Sequence, residues 1–312
     1  MFRAQMPSTA AHHPAPPSRA LLIAAFAAIY VIWGSTYLAI RVAIETIPPF
    51  LMAGTRFLLA GSLLYGWARL RGASRPSIGT WRAATILGAF FLLLGNGGVV
   101  WAEQKVPSGI AAVLVALLPI WTAIIEWIRP PGKRPTAGVT VGLVTGFAGV
   151  ALLLAPGVGS GAQVDPIGGM VLILASLSWA YAGIISKELP LPRSAALSSG
   201  MQMLAGGALL TLLGLATGEP GRLDPGSISL RSAGSFLYLV VFGSLVGFSA
   251  FAWLLRVSTP GRVATYAYVN PIVAVFLGWL ILGEPLAGRD IAAAAIIVAG
   301  VVLITSARLR SQ

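Results

Sequence analysis

The amino-acid sequence predicts an all-α polytopic membrane protein, with ten transmembrane helices arranged as two inverted five-helix repeats. Hydrophobic residues make up 57% of the chain and charged residues only 10%. Apolar runs of about 20 residues, the length that a membrane-spanning helix needs, recur along its whole length. The second half of the chain also repeats the first in altered form. These three observations together define the fold class.

The composition also excludes several functions. A net charge of +12 can indicate nucleic-acid binding, but the basic residues lie in short clusters between apolar spans, which membrane topology explains better. The chain has no cysteine, and its two histidines, His12 and His13, lie near the N-terminus, so we expect no metal site. We also expect no cofactor, no nucleotide-binding loop and no enzymatic activity, because embedded acid/base groups are lacking.

The elements follow one another with short connections. Residues 1–20 are rich in Pro, Ala and Ser and predict a disordered cytoplasmic tail, followed by a retained first helix rather than a signal peptide. The first repeat covers residues 21–155 and the second covers 166–307. The ten predicted helices are 21–42, 48–68, 81–102, 107–128, 136–155, 166–187, 194–217, 232–255, 260–282 and 289–307.

The distribution of positive charge predicts the orientation. With the N-terminus inside, fifteen of the 21 Lys and Arg residues are cytoplasmic, Arg56 lies within a span, and five are outside: Arg41, Lys105, Arg222, Arg231 and Arg289. Cytoplasmic loops carry the excess of positive charge, so both termini are predicted to be cytoplasmic.

The repeat is clearest in its fourth helix. The stretch from Pro107 to Trp127 returns in altered form from Pro260 to Glu284, and each copy has an interior proline, Pro119 or Pro271. A proline removes one backbone donor and interrupts the helix. Proline-broken helices in corresponding positions of two halves indicate a transporter binding site, so both prolines are predicted to act in gating.

Other identities recur at a nearly constant offset. They pair Trp33 with Trp179, Gly54 with Gly200, Gly61 with Gly207, Gly95 with Gly247, Trp101 with Trp253, and Gly149 with Gly300. Because five helices are an odd number, the second copy enters the membrane upside down. The pattern predicts an inverted repeat about an axis in the membrane plane.

Four motifs carry a family resemblance. WGSTYLAIR at Trp33, AGTRF at Ala53, GNGGVVWAEQKVPSGIAAVLVALLP at Gly95 and ATYAYVNPIVAVFLGWLILGE at Ala264 resemble the EamA family of the drug/metabolite transporter superfamily, close to its YedA-like branch. The resemblance implies ten helices, a central cavity and export of small metabolites, often amino acids. One departure is the loop after the fourth helix, which reads Gly132, Lys133, Arg134 where many relatives carry an acid, as Glu284 does after the ninth.

Two helices near the N-terminus supply the first candidate substrate-binding residues. Trp33 and Tyr37 share a face of the first helix, and we predict that they line a cavity; the alternative is membrane-interface packing. Arg56 lies about 10 Å into the second helix, where a charge costs about 2.5 kcal/mol or more without a partner. It either captures a substrate carboxylate or braces helix ends.

Later helices supply the remaining candidates. Asn96, Trp121, Tyr266 and Asn270 are predicted to contact substrate, although asparagines also join helices to one another. The glycines of the fifth helix, Gly138, Gly142 and Gly146, predict close helix packing, either within one subunit or across a homodimer.

The sequence therefore predicts a multi-pass protein of the bacterial inner membrane. We expect a secondary transporter that exports small metabolites, amino acids or related zwitterions, by alternating access. The alternatives are an exporter of cationic or hydrophobic drugs, an uptake permease and a channel. Its partners are the small-molecule substrate and the lipid bilayer.

Overall fold

The structure is a computed structural model that describes residues 18–130, 132, 134–154, 165–258, 263 and 265–310, all in helices and turns. The predicted tail up to residue 17, the loop around Gly159 and Pro260 lie outside the described residues. The chain forms ten long helical segments: α1 (Arg19–Ala43), α2 (Pro49–Leu70), α3 (Ile78–Ala102), α4 (Ser108–Ile128), α5 (Ala137–Leu154), α6 (Pro166–Ile185), α7 (Ala195–Ala216), α8 (230–257), α9 (Tyr266–Leu282) and α10 (Gly288–Arg310).

Length and composition agree with the prediction of a polytopic membrane protein. Among the described residues, α1, α3, α4, α6, α7, α8 and α10 are long and apolar enough to cross a membrane. The helices α5 and α9 are apolar but shorter, and α2 has 22 residues including Arg56. The predicted count of ten helices is thus confirmed, and only the start of α9 departs clearly from its predicted boundary.

Two helices are capped by carboxylates from distant parts of the chain. α2 begins after Pro48, which has no side chain to cap it, and Glu219 instead accepts from the Phe50 N–H (3.1 Å) and the Leu51 N–H (2.7 Å). The first N–H groups of a helix lack partners and attract negative charge, which explains this contact. The cap joins α2 to the connection between α7 and α8.

Glu284 does the same for α4. Its carboxylate accepts from the Ser108 N–H (2.8 Å) and the Gly109 N–H (3.2 Å), which fixes the start of α4 to the end of α9. A Cβ at Gly109 would lie 3.0 Å from the Val275 Cα, so the two helices touch closely here.

The interior prolines behave differently from one another. α4 is divided into Ser108–Val115 and Leu118–Ile128, and Pro119 is the second residue of the second piece, as the prediction of a break requires. Pro271, by contrast, lies inside the continuous α9, which begins at Tyr266. The predicted interruption at Pro271 is therefore wrong. Pro119 removes no helical bond, because the first four N–H groups of a helix have no helical acceptor. Pro271 lies further in and removes the bond that its position would donate to the Ala267 carbonyl, yet α9 continues past it.

Two π-helical segments interrupt α3 and α8 and were not predicted. They are Gly88–Asn96 and Leu239–Gly247, each of nine residues, and they occupy corresponding places in the two halves of the chain. Wide π turns occur mostly at functional sites. Both segments reach the cavity described below.

Glycines bring two helix pairs into close contact. In the pair α2 and α7, a Cβ at Gly54 would lie 3.1 Å from the Gly207 carbonyl, and one at Gly61 would lie 3.0 Å from the Gly200 carbonyl. In the pair α5 and α10, a Cβ at Gly142 would lie 2.8 Å from the Gly300 carbonyl. The glycine stripe of α5 thus packs within the subunit, which decides between the two readings of that stripe.

The remaining six helices, α1, α3, α4, α6, α8 and α9, surround the centre of the molecule. α1 packs on α8 and α9, while α6 packs on α3 and α4. At the predicted outer end, the Ser229 N–H donates to Thr46 Oγ1 (3.2 Å), and Arg41 donates to the Glu103 carbonyl. At the predicted cytoplasmic end, Arg129 pairs with Glu188 at 3.1 Å.

Candidate functional site

A cavity lies between the six central helices and α2, and the space outside protein atoms there is about 810 Å³, including space that is open to solvent. Twenty-one residues line it, and they include six of the seven predicted substrate-binding residues together with Pro271: Trp33, Tyr37, Arg56, Asn96, Tyr266, Asn270 and Pro271. These residues come from α1, α2, α3 and α9, so the folded chain brings together positions that are more than 200 residues apart.

Arg56 supplies the positive charge of the cavity. Its side chain is only 3% exposed, and its Nε donates to Ser244 Oγ (2.9 Å) in the π segment of α8. The guanidinium also lies 4.7 Å from the Phe57 ring, and its Nη1 has no hydrogen-bond partner. No described carboxylate pairs with Arg56. A buried guanidinium with a free donor is suited to bind a carboxylate or another anion.

Aromatic rings form one wall. Trp33 lies 5.2 Å from Tyr266 and 6.3 Å from Trp179, measured between ring centroids, both nearly edge to face. Phe248 and Phe251 contact the same indole at 5.9 Å and 5.0 Å. Such faces attract an ammonium group or an apolar side chain. Trp179 was not predicted as a site residue, although its pairing with Trp33 in the repeat could have identified it.

Glycines of the two π segments hold these indoles in place. A Cβ at Gly95 would lie 3.0 Å from Trp179 Cε3, and a Cβ at Gly247 would lie 2.5 Å from Trp33 Nε1. The Trp33 Nε1 donates to the Gly243 carbonyl at 3.3 Å. Each tryptophan therefore packs on a glycine from the other half of the chain.

Two amides provide polar groups at depth. Asn96 ends the π segment of α3, and its Oδ1 is buried without a hydrogen-bond partner. Asn270 is 5% exposed, and its amide nitrogen, in the orientation that satisfies it, donates to the carbonyls of Tyr30 (3.1 Å) and Tyr266 (3.2 Å). Asn270 thus joins α1 to α9 as well as lining the cavity, so both interpretations of this residue have support.

Two predicted residues are not among the lining residues. Trp121 turns its indole toward α6, where Nε1 donates to Ser176 Oγ (2.8 Å), and it packs on Phe147 of α5. It is therefore separated from the other six candidates, because the break in α4 directs its second piece against α6. Pro119 is also absent from the lining, although its neighbour Leu118 is present.

An aromatic and hydrogen-bonded contact joins α1 to the residue before α9, toward the predicted cytoplasmic end. The Tyr30 hydroxyl and Thr265 Oγ1 lie 2.5 Å apart, and Ala25, Ile29, Leu254 and Val263 form a small apolar cluster around them. Among its described lining residues, the cavity offers the unpaired Arg56 cation, an amide oxygen and aromatic faces. Chemically, these groups are suited to a small molecule with both an anionic and a cationic or apolar part.

Comparisons with known proteins agree with this arrangement. The model of the EamA-like transporter family matches the chain twice, over residues 19–155 and 166–306. The inner membrane transporter YedA of Escherichia coli, itself described as uncharacterized, is 38% identical over 285 residues, which cover 91% of this chain and 90% of that protein. The uncharacterized transporter YvbV of Bacillus subtilis is 25% identical, covering 93% of each chain.

Two further similarities are more distant. Protein PecM of Dickeya dadantii is 26% identical, over 90% of this chain and 91% of that protein. A protein of known crystal structure superposes with a TM-score of 0.62 over 93% of this chain and 98% of that chain. Since the identity there is 19%, this match shows the fold alone.

Proposed function

Because the chain belongs to the EamA-like transporter family, we propose that it is a secondary transporter that exports amino acids or related zwitterionic metabolites. The observation that supports this substrate class is the unpaired Arg56 guanidinium in a cavity walled by Trp33, Trp179 and Tyr266. Arg56 would bind the substrate carboxylate, and the rings would face the ammonium group or the side chain.

The two halves of the chain would form an inverted repeat. Gly54 and Gly200 are repeat counterparts, and so are Gly61 and Gly207; Gly54 approaches Gly207 while Gly61 approaches Gly200. This reciprocity is what a twofold axis requires. The π segments, the tryptophan and glycine pairs, and the two matches to the family model also support the proposal.

Alternating access would proceed through α4 and α9. The divided α4 has its first piece fixed to the end of α9 by Glu284, while its second piece packs on α6 and α10. Pro119 and Pro271 limit the backbone bonds that must break when these helices bend. The site would then open alternately on either side of the membrane.

The protein would reside in the bacterial cytoplasmic membrane with both termini in the cytoplasm. The charge distribution supports this orientation, and the YedA relative is named an inner membrane transporter. We propose no enzymatic role, in keeping with relatives that are named transporters.

A second candidate is export of cationic or hydrophobic drugs. The aromatic wall supports it, because several rings around one space also accommodate an apolar cation. The charge of Arg56 argues against it, since a buried guanidinium repels cations.

A thermal-shift screen of the purified protein against amino acids and related metabolites separates these candidates. A ligand that binds only the folded state stabilises it by about 2.7 kcal/mol at about a hundred times its Kd. We expect a zwitterionic ligand whose effect disappears in Arg56→Gln and weakens in Asn270→Ala. Arg71→Gln is the matched control, because Arg71 lies exposed at the end of the same helix.

Two results would contradict the proposal. If the ligand still binds to Arg56→Gln with unchanged affinity, Arg56 is a structural brace rather than a carboxylate site. If only apolar cations stabilise the protein, the drug-exporter function is correct instead.

A further inference from the structure

A second buried group lies outside the cavity residues that the proposed function uses. Glu103 follows α3 directly and is 0% exposed, and neither of its carboxylate oxygens has a hydrogen-bond partner. Arg41 donates to the main-chain carbonyl of Glu103 rather than to its carboxylate. The nearby Ser108 hydroxyl is also fully buried and unpartnered. A bare buried carboxylate is costly, and binding a proton removes that cost.

The charged groups around Glu103 come from several elements. Burial raises the pKa of the Glu103 carboxyl well above its usual value, the negative charge of Glu284 raises it further, and the charge of Arg41 opposes them. Tyr37 of α1 faces Glu103 from the cavity side. Asp165 caps the start of its own helix, α6, which lies beside Val106. Lys105, in the connection between α3 and α4, is exposed.

We propose that Glu103 is a proton-binding site that keeps the predicted outer end of the transporter closed, and that loss of its proton to outer water favours opening. This proposal rests on alternating access at the central cavity. The proton leaves one carboxylate oxygen as hydronium, and the negative charge that appears adds to that of Glu284 while neither Glu103 oxygen accepts a hydrogen bond in the closed structure. Opening admits water, so proton binding and closure favour each other.

The position of Glu103 explains how a proton would act on the helices. The connection between α3 and α4 carries Glu103, and the next residues, Ser108 and Gly109, are those that Glu284 fixes to α9. Repulsion between Glu103 and Glu284 therefore acts directly on the contact between α4 and α9. In the other half of the repeat, Leu255 stands at the position that corresponds to Glu103, and the loop that corresponds to Glu284, Gly132 to Arg134, has no acid. The proton-dependent closure would operate at one end of the protein only.

Because the chain has no cysteine, accessibility can be measured with a single introduced thiol. Ser108→Cys reports opening, since Ser108 is buried at the contact, and Lys105→Cys in the exposed part of the connection is the matched reference. Initial rates of maleimide labelling would be measured on the purified full-length protein in detergent. The ratio of the two rates corrects for the pH dependence of thiol chemistry.

We expect this ratio to rise about tenfold over two pH units, which is the change in the deprotonated fraction across the titration of one group. In the Glu103→Gln background the ratio should stay low at every pH. Glu103→Met, an apolar side chain of similar length, is a second variant in case the first does not fold. A ratio that is independent of pH, or a rise that persists in these variants, overturns the proposal.

This measurement uses no substrate, so its failure is distinct from failure of the proposed function. A flat ratio together with Arg56-dependent binding would remove only the proton site. If the ratio of labelling rates depends on pH but no metabolite binds in the screen, the proton site is supported and the proposed zwitterionic substrate class is contradicted.

Discussion

At the scale of single residues, the cavity depends on contacts that small side chains permit. Trp33 reaches its position because Gly247 presents only backbone to the indole, and Trp179 uses Gly95 in the same way. Any Cβ at these glycines would occupy the space of a tryptophan ring atom. The aromatic wall therefore depends on glycine as much as on the rings themselves.

The substitution Gly247→Ala tests this dependence. The new Cβ would lie 2.5 Å from Trp33 Nε1, so the indole must move and lose its bond to the Gly243 carbonyl. Overpacking of this kind costs about 1–3 kcal/mol, and we expect a lower unfolding midpoint, altered tryptophan fluorescence and weaker ligand stabilisation. Gly234→Ala on the same helix is the control, because nothing lies within 4 Å of its Cβ position. If the two variants behave alike, Gly247 does not position Trp33.

At the scale of elements, three of the six central helices, α3, α4 and α8, are irregular, while the helix pairs beside them are regular. α3 and α8 contain π segments and α4 is divided, whereas α2 packs on α7 along an unbroken helix. Irregular turns direct backbone and side chains into the cavity, which a straight helix cannot do as freely. In the proposed mechanism, the regular pairs would form the fixed frame against which α4 and α9 move.

The substitutions Pro119→Ala and Pro271→Ala test gating by these elements. Each restores a backbone donor and should stiffen its helix, so we expect slower initial transport rates with a normal yield of folded protein. The effect should be larger for Pro119, because α4 is divided beside it while α9 continues through Pro271. Rates would be measured in reconstituted vesicles with the ligand found by the screen. Unchanged rates in both variants would count against a gating role.

At the scale of the whole molecule, contacts between the halves follow a reciprocal pattern. α1 packs on α8 and α9, and its repeat counterpart α6 packs on α3 and α4. Two contacts pair a helix with its own repeat counterpart: α2 packs on α7, and α5 packs on α10. This arrangement places the cavity where the two halves meet, as the proposed alternating access requires.

The orientation of the chain across the membrane is a property of the whole molecule. Reporters fused to both termini should show cytoplasmic placement, because the basic loops are predicted to lie inside. Single cysteines introduced near Gly159 and at Gly221 should react with an impermeant reagent from outside. If the C-terminus faces outward while the N-terminus is cytoplasmic, the chain cannot cross the membrane ten times, and the predicted topology is wrong.

The sequence by itself determined the class of protein, the ten helices and six of the polar and aromatic residues that line the cavity. Helix length and apolar composition are properties of contiguous residues, so they can be read without knowing the fold. Trp33, Tyr37, Arg56, Asn96, Tyr266 and Asn270 could be chosen because polar or aromatic groups in apolar spans are costly unless they face a cavity or a partner. All six line the cavity.

Only the tertiary structure decided which distant residues meet. The contact of Arg56 with Ser244 spans 188 positions of sequence, and the bond of Trp121 to Ser176 removes that tryptophan from the cavity. The π segments, the continuity of α9 through Pro271 and the burial of Glu103 likewise depend on neighbours from other helices. Such features result from packing between helices, and local sequence patterns do not encode which side chains a neighbouring helix will present.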